Sequence, residues 1–222
     1  MARTLEFGQD YVETLELADG TPVRLRPIQP SDKDQLARGL ARLSPESRYL
    51  RFFTEKSHLS TQELAYLTEV DGVDHFALVA VHRETGEGIG VARFVRLAPE
   101  GDDAGDAHVA EAAVVVLDEF QNRGLGSLLL RRLSAAALER GIDRFAAEIL
   151  GENQRIRHVL AAVSPDTEFV QDDDSIHAHV PLVAPAPDAP TDSLAHRLLA
   201  EVASGALELR HRLMVLKRTA SS

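Results

Sequence analysis

Apolar residues recur along this chain with two different periods, and together they predict a mixed α/β (α+β) fold. Short apolar or alternating runs rich in β-branched residues predict strands, whereas apolar residues three or four positions apart predict helices. The predicted strands are residues 21–28, 76–82, 89–97, 108–116, 144–150, 167–170 and 176–183. The predicted helices begin near residues 30, 44, 60, 127, 154 and 191. This order predicts a central, mostly antiparallel sheet with helices on both faces and one parallel strand pair.

Residues 108–140 form the most distinct pattern, a strand followed by a glycine turn and a long helix. His108–Val116 is short, apolar and rich in valine, which is typical of a strand buried on both faces. The turn Gln121–Gly126 contains two glycines, and leucine and alanine then recur at helical spacing from Ser127 to Arg140, before Gly141. A helix N-terminus has free N–H groups and the positive end of the helix dipole. The pattern therefore predicts an anion site that suits a phosphate.

Two well-known phosphate loops do not fit this turn. A Walker loop requires lysine and then serine or threonine after its last glycine, but Gly126 is followed by Ser127 and Leu128. A dinucleotide fingerprint requires a third glycine at a fixed spacing, which is absent from the turn. A separate glycine repeat at positions 86, 88 and 90 precedes a strand rather than a helix, so it predicts a β-hairpin and not a nucleotide loop.

Length and local composition divide the chain into four segments. A chain of 222 residues with 44% apolar composition can form one sizeable domain with an appendage. We expect an N-terminal extension at 1–20, the domain at 21–183, a stiff Pro/Ala linker at 184–190 and an amphipathic C-terminal helix at 191–222. The leucine spacing of that last helix suits docking or a homodimer, and it equally suits a helix packed on its own domain.

Composition and charge exclude several classes of function. The absence of cysteine excludes disulfides, Cys-ligated zinc and a cysteinyl enzyme intermediate. The net charge of −11 argues against a nucleic-acid partner and suits a cationic one, such as an amine or a lysine-bearing surface. The chain shows no signal-peptide core and no run of about eighteen apolar residues, so we expect a soluble, cytoplasmic protein with no membrane partner.

Other catalytic or metal sites find little support in the sequence. His177 and His179 would lie on one face of a strand beside the acidic run 172–174, but no third ligand is convincingly spaced. We interpret this segment as a polar surface strand and predict no metal. The chain also lacks a Gly-x-Ser-x-Gly elbow, which disfavours a serine hydrolase.

The glycine turn and three further stretches resemble a known family. Gln121, Gly124 and Gly126 match the Gln/Arg-x-x-Gly-x-Gly/Ala acyl-CoA pyrophosphate loop of the GNAT superfamily of N-acetyltransferases. The stretches 47–53, 110–116 and 148–153 are similar to bacterial Pat-type protein lysine acetyltransferases. Over residues 21–183 the resemblance implies the GNAT fold, with the parallel strand pair at the acyl-CoA site. It also implies acetyl-CoA as co-substrate and direct attack of an amine on the thioester, without a covalent enzyme intermediate.

Glu111 is the leading candidate for the base that direct attack requires. A lysine amine with a pKa near 10.4 is neutral in only about one molecule in 2,500 at pH 7. Glu111 precedes Val116 by five residues, so a pantetheine arm beside this strand, reaching roughly 16 Å from the turn, would bring its thioester near the carboxylate. It also matches the catalytic glutamate of the Pat-like motif. Glu148 is the second candidate, and the other interpretation of Glu111 is a residue that pairs with an arginine or lines the cleft.

The resemblance also implies the contacts with the cofactor. They are the backbone of Val115 and Val116, the turn residues Gln121, Asn122, Arg123, Gly124, Leu125, Gly126 and Ser127, and Asn153. Arg123 suits either a phosphate partner or a solvated loop position. The chain departs from the family at 155–163, which contains no tyrosine to protonate the leaving thiolate, and at 164–167, where Ser-Pro-Asp-Thr replaces Gly-Phe. The general acid is therefore unassigned.

Taken with the resemblance, the residues predict an acyltransferase that moves an acetyl group from acetyl-CoA to a primary amine. A protein lysine is the leading acceptor. The alternatives are a small amine, such as a polyamine, an amino sugar or an antibiotic, and a catalytically idle domain that binds acyl-CoA as a sensor. Acceptor loops are the part of such a fold that spacing arguments do not identify.

Overall fold

The structure is a computed structural model that describes residues 6–45, 47–48, 57–98, 108–150, 166–172 and 175–182. Several predicted features lie outside the described residues. They are Asn153 and the helix after it, most of the helix predicted from Ser44, the linker at 184–190 and the helix at 191–222.

The described strands form one eight-stranded sheet. Their bounds are Glu13–Glu16 (β1), Pro22–Pro27 (β2), His75–His82 (β3), Gly88–Arg96 (β4), Val109–Val116 (β5), Arg144–Leu150 (β6), Glu168–Asp172 (β7) and Ser175–Pro181 (β8). The strand order is β1-β2-β3-β4-β5-β6-β8-β7. Strands β5 and β6 are parallel, and the other neighbouring pairs in the described sheet are antiparallel. The predicted mixed, mostly antiparallel sheet with one parallel pair is confirmed.

Helices cover both faces of this sheet. The described α-helices are Lys33–Arg42 (α1), Thr61–Thr68 (α2) and Leu125–Glu139 (α3), and two short 3-10 helices span Pro30–Asp32 and Asp118–Phe120. Helix α3 packs Leu129 and Leu133 against Ala112 and Val114 of β5 in the main core. Helix α1 lies on the opposite face, where its Leu40 belongs to a cluster that includes Leu117 and Val115. Alternate residues of β5 therefore contact different layers.

Strand β1 has no counterpart in the sequence prediction, which assigned no element to residues 1–20. It contains four residues and pairs with β2 at the edge of the sheet. Glu13 accepts hydrogen bonds from Arg132 of α3, at 2.7 Å from Nε and 2.6 Å from Nη2. These hydrogen bonds hold the pKa of Glu13 below its usual value. So short a strand is stabilised by its sheet and helix partners, which a local pattern does not reveal.

Glycines fix two features of the sheet that position the site. The predicted hairpin at residues 86–90 is confirmed, because β3 and β4 are antiparallel and Gly86 adopts a φ of 73° between them. At Gly90, an added Cβ would lie 3.1 Å from Leu129 Cδ1 and 3.2 Å from the Val115 carbonyl oxygen. Glycine at this position lets the first turns of α3 pack directly on the sheet.

The capping box predicted at Ser60 is present at the start of α2. Ser60 Oγ accepts a hydrogen bond from the Glu63 N–H at 3.2 Å, and Glu63 Oε2 accepts one from the Ser60 N–H at 2.9 Å. Substitution of Ser60 by alanine is expected to lower the free energy of unfolding by about 1 kcal/mol, measured by urea denaturation. The control is Thr61→Ala at the next, exposed position, with an expected change within about 0.5 kcal/mol. Equal losses in the two variants would contradict the capping role.

Candidate functional site

Strands β5 and β6 diverge after a short paired segment. Their parallel register covers Val109–Glu111 and Arg144–Ala146, although β5 continues to Val116 and β6 to Leu150. Beyond Glu111 the described residues supply no strand partner for this edge of β5. The sheet thus contains a wedge-shaped gap that begins at Glu111 and widens toward the glycine turn.

Backbone hydrogen bonds establish which residues of β5 face this gap. The Leu117 N–H donates to the Ile89 carbonyl at 3.0 Å, and the Val109 carbonyl accepts from the Leu97 N–H at 3.0 Å, so odd-numbered residues of β5 bond to β4. The peptide groups of the even-numbered residues then point toward β6 and the gap. Such an edge can accept an extended ligand chain that carries amide groups, as in strand addition.

This register changes one of the predicted cofactor contacts. Val115 is paired with Val91, and its peptide groups are directed toward β4 rather than toward the gap. The peptide groups of Val116 face the gap, as predicted, and those of Val114 and Ala112 face it too. Val115 was predicted from the family resemblance. The direction of alternate peptide groups depends on pairing with β4, which the strand's own residues do not reveal.

The predicted anion site lies at the wide end of the gap. Asn122 and Gly124 adopt φ angles of 59° and 83°, and α3 begins at the next residue, Leu125. The first helical hydrogen bond runs from the Leu128 N–H to the Gly124 carbonyl at 3.0 Å. The preceding N–H groups, at residues 125–127, therefore have no acceptor within the helix. A Cβ added at Gly124 would meet nothing within 4 Å, so the approach to these groups is open.

Gln121 connects the turn to the end of β5. Its Nε2 donates to the Val116 carbonyl at 3.1 Å and to Ser47 Oγ at 3.4 Å. The side chain thus occupies one of the gap-facing carbonyl groups and holds the turn against the strand. In this arrangement the Gln121 amide group holds the turn in place through Val116 and Ser47, and it does not point at the anion site.

Arg123 pairs with an acidic residue in the described structure. Its Nη1 lies 2.9 Å from Asp19 Oδ2, and its guanidinium is 5.2 Å from the centre of the Phe120 ring. Both side chains are partly exposed, at 41% for Arg123 and 36% for Asp19. A surface ion pair of this kind contributes only about 0 to 1 kcal/mol, so Arg123 can exchange Asp19 for a phosphate at little cost.

Asp118, just before the turn, binds Ser44 and Ser47, and it was not among the predicted site residues. Its carboxylate accepts hydrogen bonds from the Ser44 N–H at 2.9 Å, from Ser44 Oγ at 2.9 Å and from Ser47 Oγ at 2.7 Å. Burial alone would raise the pKa of Asp118, but these hydrogen bonds outweigh burial and hold the pKa below its usual value. The two serines lie about 70 residues away in sequence, so no local signal identified this contact.

Substitution of Asp118 by asparagine is expected to lower the free energy of unfolding by about 1 kcal/mol at pH 6, because a charged acceptor is lost. The folded-state pKa of Asp118 is lowered, so its stabilising effect is present above the unfolded pKa near 3.9 and is lost as pH falls through the folded value. Urea denaturation of both proteins at several pH values measures this difference. Glu119→Gln, at an exposed neighbour that pairs with Arg42, is the control. A difference that persists unchanged well below pH 3 would contradict the account.

The two candidate bases lie on neighbouring strands. Glu111 is half-buried and is the last residue of β5 in the paired segment, with Val95 and Ala146 as its neighbours in the sheet. It therefore lies at the closed end of the gap, on the face opposite α3. Glu148 lies two residues beyond Ala146, and its backbone pairs with His177 of β8. Asn153 lies outside the described residues.

His177 and His179 are half-buried on β8, and Ala178 between them is buried. Within the described residues, no group of three or more histidine, aspartate or glutamate side chains is arranged to hold a metal ion. In the same part of the chain, no helix has the length and apolar character needed to cross a membrane.

Comparison with known proteins decides the family. Residues 23–163 match the family described as the Acetyltransferase (GNAT) domain. The chain belongs to this GNAT family. Acetyltransferase Pat of Mycolicibacterium smegmatis is 38% identical over 136 residues, which are 61% of this chain and 39% of that protein. Acetyltransferase PA5475 of Pseudomonas aeruginosa is 30% identical over 158 residues, or 70% of this chain and 80% of its own length.

A solved GNAT structure agrees with the fold. The GNAT domain of S. lividans PAT superposes with a TM-score of 0.66 and 33% sequence identity, and the match covers 77% of this chain and 97% of that domain. The resemblance to Pat-type acetyltransferases is thereby confirmed. The match spans 39% of the length of the M. smegmatis Pat relative.

Proposed function

We propose that this GNAT protein transfers an acetyl group from acetyl-CoA directly to a primary amine, and that a protein lysine is the acceptor. One observation carries the proposal: an edge of β5 that has no strand partner among the described residues beyond Glu111 connects the N-terminus of α3 to Glu111. The spacing of these parts fits a ligand with a phosphate at one end and a reactive thioester at the other. The resemblance of the stretches 47–53, 110–116 and 148–153 to Pat-type protein lysine acetyltransferases favours a lysine acceptor.

The N-terminus of α3 binds the pyrophosphate of acetyl-CoA, and the gap-facing edge of β5 binds its pantetheine arm. The pyrophosphate lies at the first N–H groups of α3, where the helix dipole stabilises negative charge. Arg123 moves from Asp19 to a phosphate. The pantetheine amides pair with the peptide groups of Ala112 and Val114, and Val116 contributes its N–H while Gln121 occupies its carbonyl.

Glu111 receives the proton of the attacking amine. The thioester lies at the closed end of the gap, so the amine approaches from the face that carries Glu111. The amine nitrogen forms a bond to the thioester carbonyl carbon as its proton passes to Glu111, directly or through water. The tetrahedral intermediate then breaks its carbon–sulfur bond and releases CoA. This direct transfer follows the family resemblance, and the chain contains no cysteine that would form a cysteinyl intermediate.

Release of free CoA from acetyl-CoA, measured with three sets of acceptors, tests this function. The purified protein is incubated alone, with a lysine-bearing protein mixture, and with a panel of polyamines and amino sugars. We expect release that requires the protein mixture, together with acetyl label on lysine side chains. Release with one small amine only would replace the lysine acceptor by a metabolite or antibiotic. Saturable CoA binding without release under any condition would overturn the enzymatic function and favour a sensor.

A further inference from the structure

A row of residues crosses four strands of the sheet beside the candidate base. The registers pair Glu111 with Ala146, Ala146 with His179, and His179 with Glu168. Directly paired residues share one face of a sheet, so His179 lies on the face of Glu111, two strands away. The interstrand spacing places their Cα atoms roughly 10 Å apart. Ala146 between them contributes only a methyl group, which leaves the two longer side chains free to approach each other above it.

His179 contains an unusual ring nitrogen. Its Nδ1 is buried, and it has no hydrogen-bond partner within the described part of the chain. Buried polar atoms in proteins nearly always have a partner, either in the protein or as ordered water. His177 lies two residues earlier on the same face and does have an interaction partner. The two histidines of this strand therefore differ. Nδ1 of His179, the histidine in the row with Glu111, can accept a hydrogen bond from a water molecule.

We propose that His179 is the second proton carrier of this site, an inference that rests on the acetyl transfer proposed above. Glu111 takes the proton from the attacking amine and passes it through one bridging water to Nδ1 of His179. The ring then gives up a proton from Nε2 to solvent on the side of Glu168, and exchange with solvent restores the original tautomer. Glu111 is left ionised for the next amine. No electron is transferred, and the only bonds that change in this relay are those to hydrogen.

The charged neighbours of His179 are compatible with such a relay. Those that face it or flank it in the register are Glu168 on β7, His177 on β8, Arg144 and Glu148 on β6, and Glu111 on β5. Glu168 is exposed, so a proton released on its side enters solvent. Histidine is suited to this task because it exchanges protons near neutral pH.

The pH dependence of kcat in two matched variants tests the relay. His179→Gln is expected to lower kcat on the order of tenfold, less than loss of a direct base, and to remove the step that the imidazole contributes to the pH profile of kcat. His177→Gln, two residues earlier on the same face of β8, is expected to retain the wild-type pH profile of kcat. A purely structural effect of His179→Gln would lower kcat without removing the step. An unchanged profile in His179→Gln, or loss of the step in His177→Gln instead, would overturn the proposal.

NMR spectra of the imidazole rings test the same coupling without turnover. Glu111→Gln replaces the carboxylate that the bridging water contacts, so the ring nitrogen signals of His179 should change position. The signals of His177 should stay in place. If the wild type binds acetyl-CoA but acetylates nothing, the proposed function fails, and these spectra still decide whether Glu111 and His179 interact. Identical His179 signals in the two proteins would refute the relay even if acetylation is observed.

Discussion

Replacement of Glu111 by glutamine is expected to lower kcat by about 10² to 10⁴-fold at pH 7, because the amine then loses its proton acceptor. Glutamine has nearly the same shape as glutamate but does not accept a proton. The affinity for acetyl-CoA should change by less than about twofold, since the phosphate and pantetheine contacts lie elsewhere on β5 and α3. Steady-state kinetics and calorimetric titration with acetyl-CoA measure the two quantities.

The pH dependence of this variant separates a base from a binding residue. The neutral fraction of a lysine amine rises about tenfold per pH unit below its pKa near 10.4, so the deficit of Glu111→Gln should shrink as pH increases. Glu148→Gln is the matched control, because it changes the second candidate base on the adjacent strand. A larger loss in Glu148→Gln than in Glu111→Gln would transfer the role of base to Glu148. Equal activity of Glu111→Gln and wild type would refute the assignment.

Substitution of Gly124 by alanine is expected to weaken acetyl-CoA binding by at least about tenfold, through its effect on the anion site. Alanine at a φ of 83° costs about 1 to 2 kcal/mol, which either distorts the turn or moves the first N–H groups of α3. Its Cβ would also occupy open space at the mouth of the site. The change is large because a helix N-terminus binds phosphate only when its N–H groups converge.

Gly141 provides a matched control at the other end of the same helix. It also has a positive φ, 72°, and an added Cβ there meets nothing within 4 Å. Gly124→Ala and Gly141→Ala should therefore lose similar free energy of unfolding, measured by urea denaturation. Calorimetry should show weakened acetyl-CoA binding in the first variant alone. Similar affinities in the two variants would contradict the placement of the phosphate at Gly124.

The strand, turn and helix around the site were predictable because their signals are local. The valine run, the two glycines and the leucine and alanine repeat predicted β5, the turn and α3, with the helix start within two residues of Leu125. Family membership followed from the same segment. The alternation of apolar residues also placed Glu111 on a strand before the turn.

Other parts of the site depend on contacts between distant segments, and the sequence did not reveal them. Asp118 looked like part of a strand break, but in the structure it accepts hydrogen bonds from Ser44 and Ser47. Gln121 matched a phosphate motif, but its amide bonds to Val116 and Ser47. The contacts with Ser44 and Ser47 depend on how segments far apart in sequence pack together, which no single pattern contains.

Amide hydrogen exchange along β5, measured by NMR with and without acetyl-CoA, determines whether the cofactor adds to this strand. Beyond Glu111 this edge of β5 has no strand partner among the described residues, and its even-numbered peptide groups face the gap. Acetyl-CoA is therefore expected to slow exchange at Ala112, Val114 and Val116 by at least about tenfold, with no further change at Ala113 and Val115, which already bond to β4. Saturating acetyl-CoA that leaves the even-numbered amides unchanged would contradict the account.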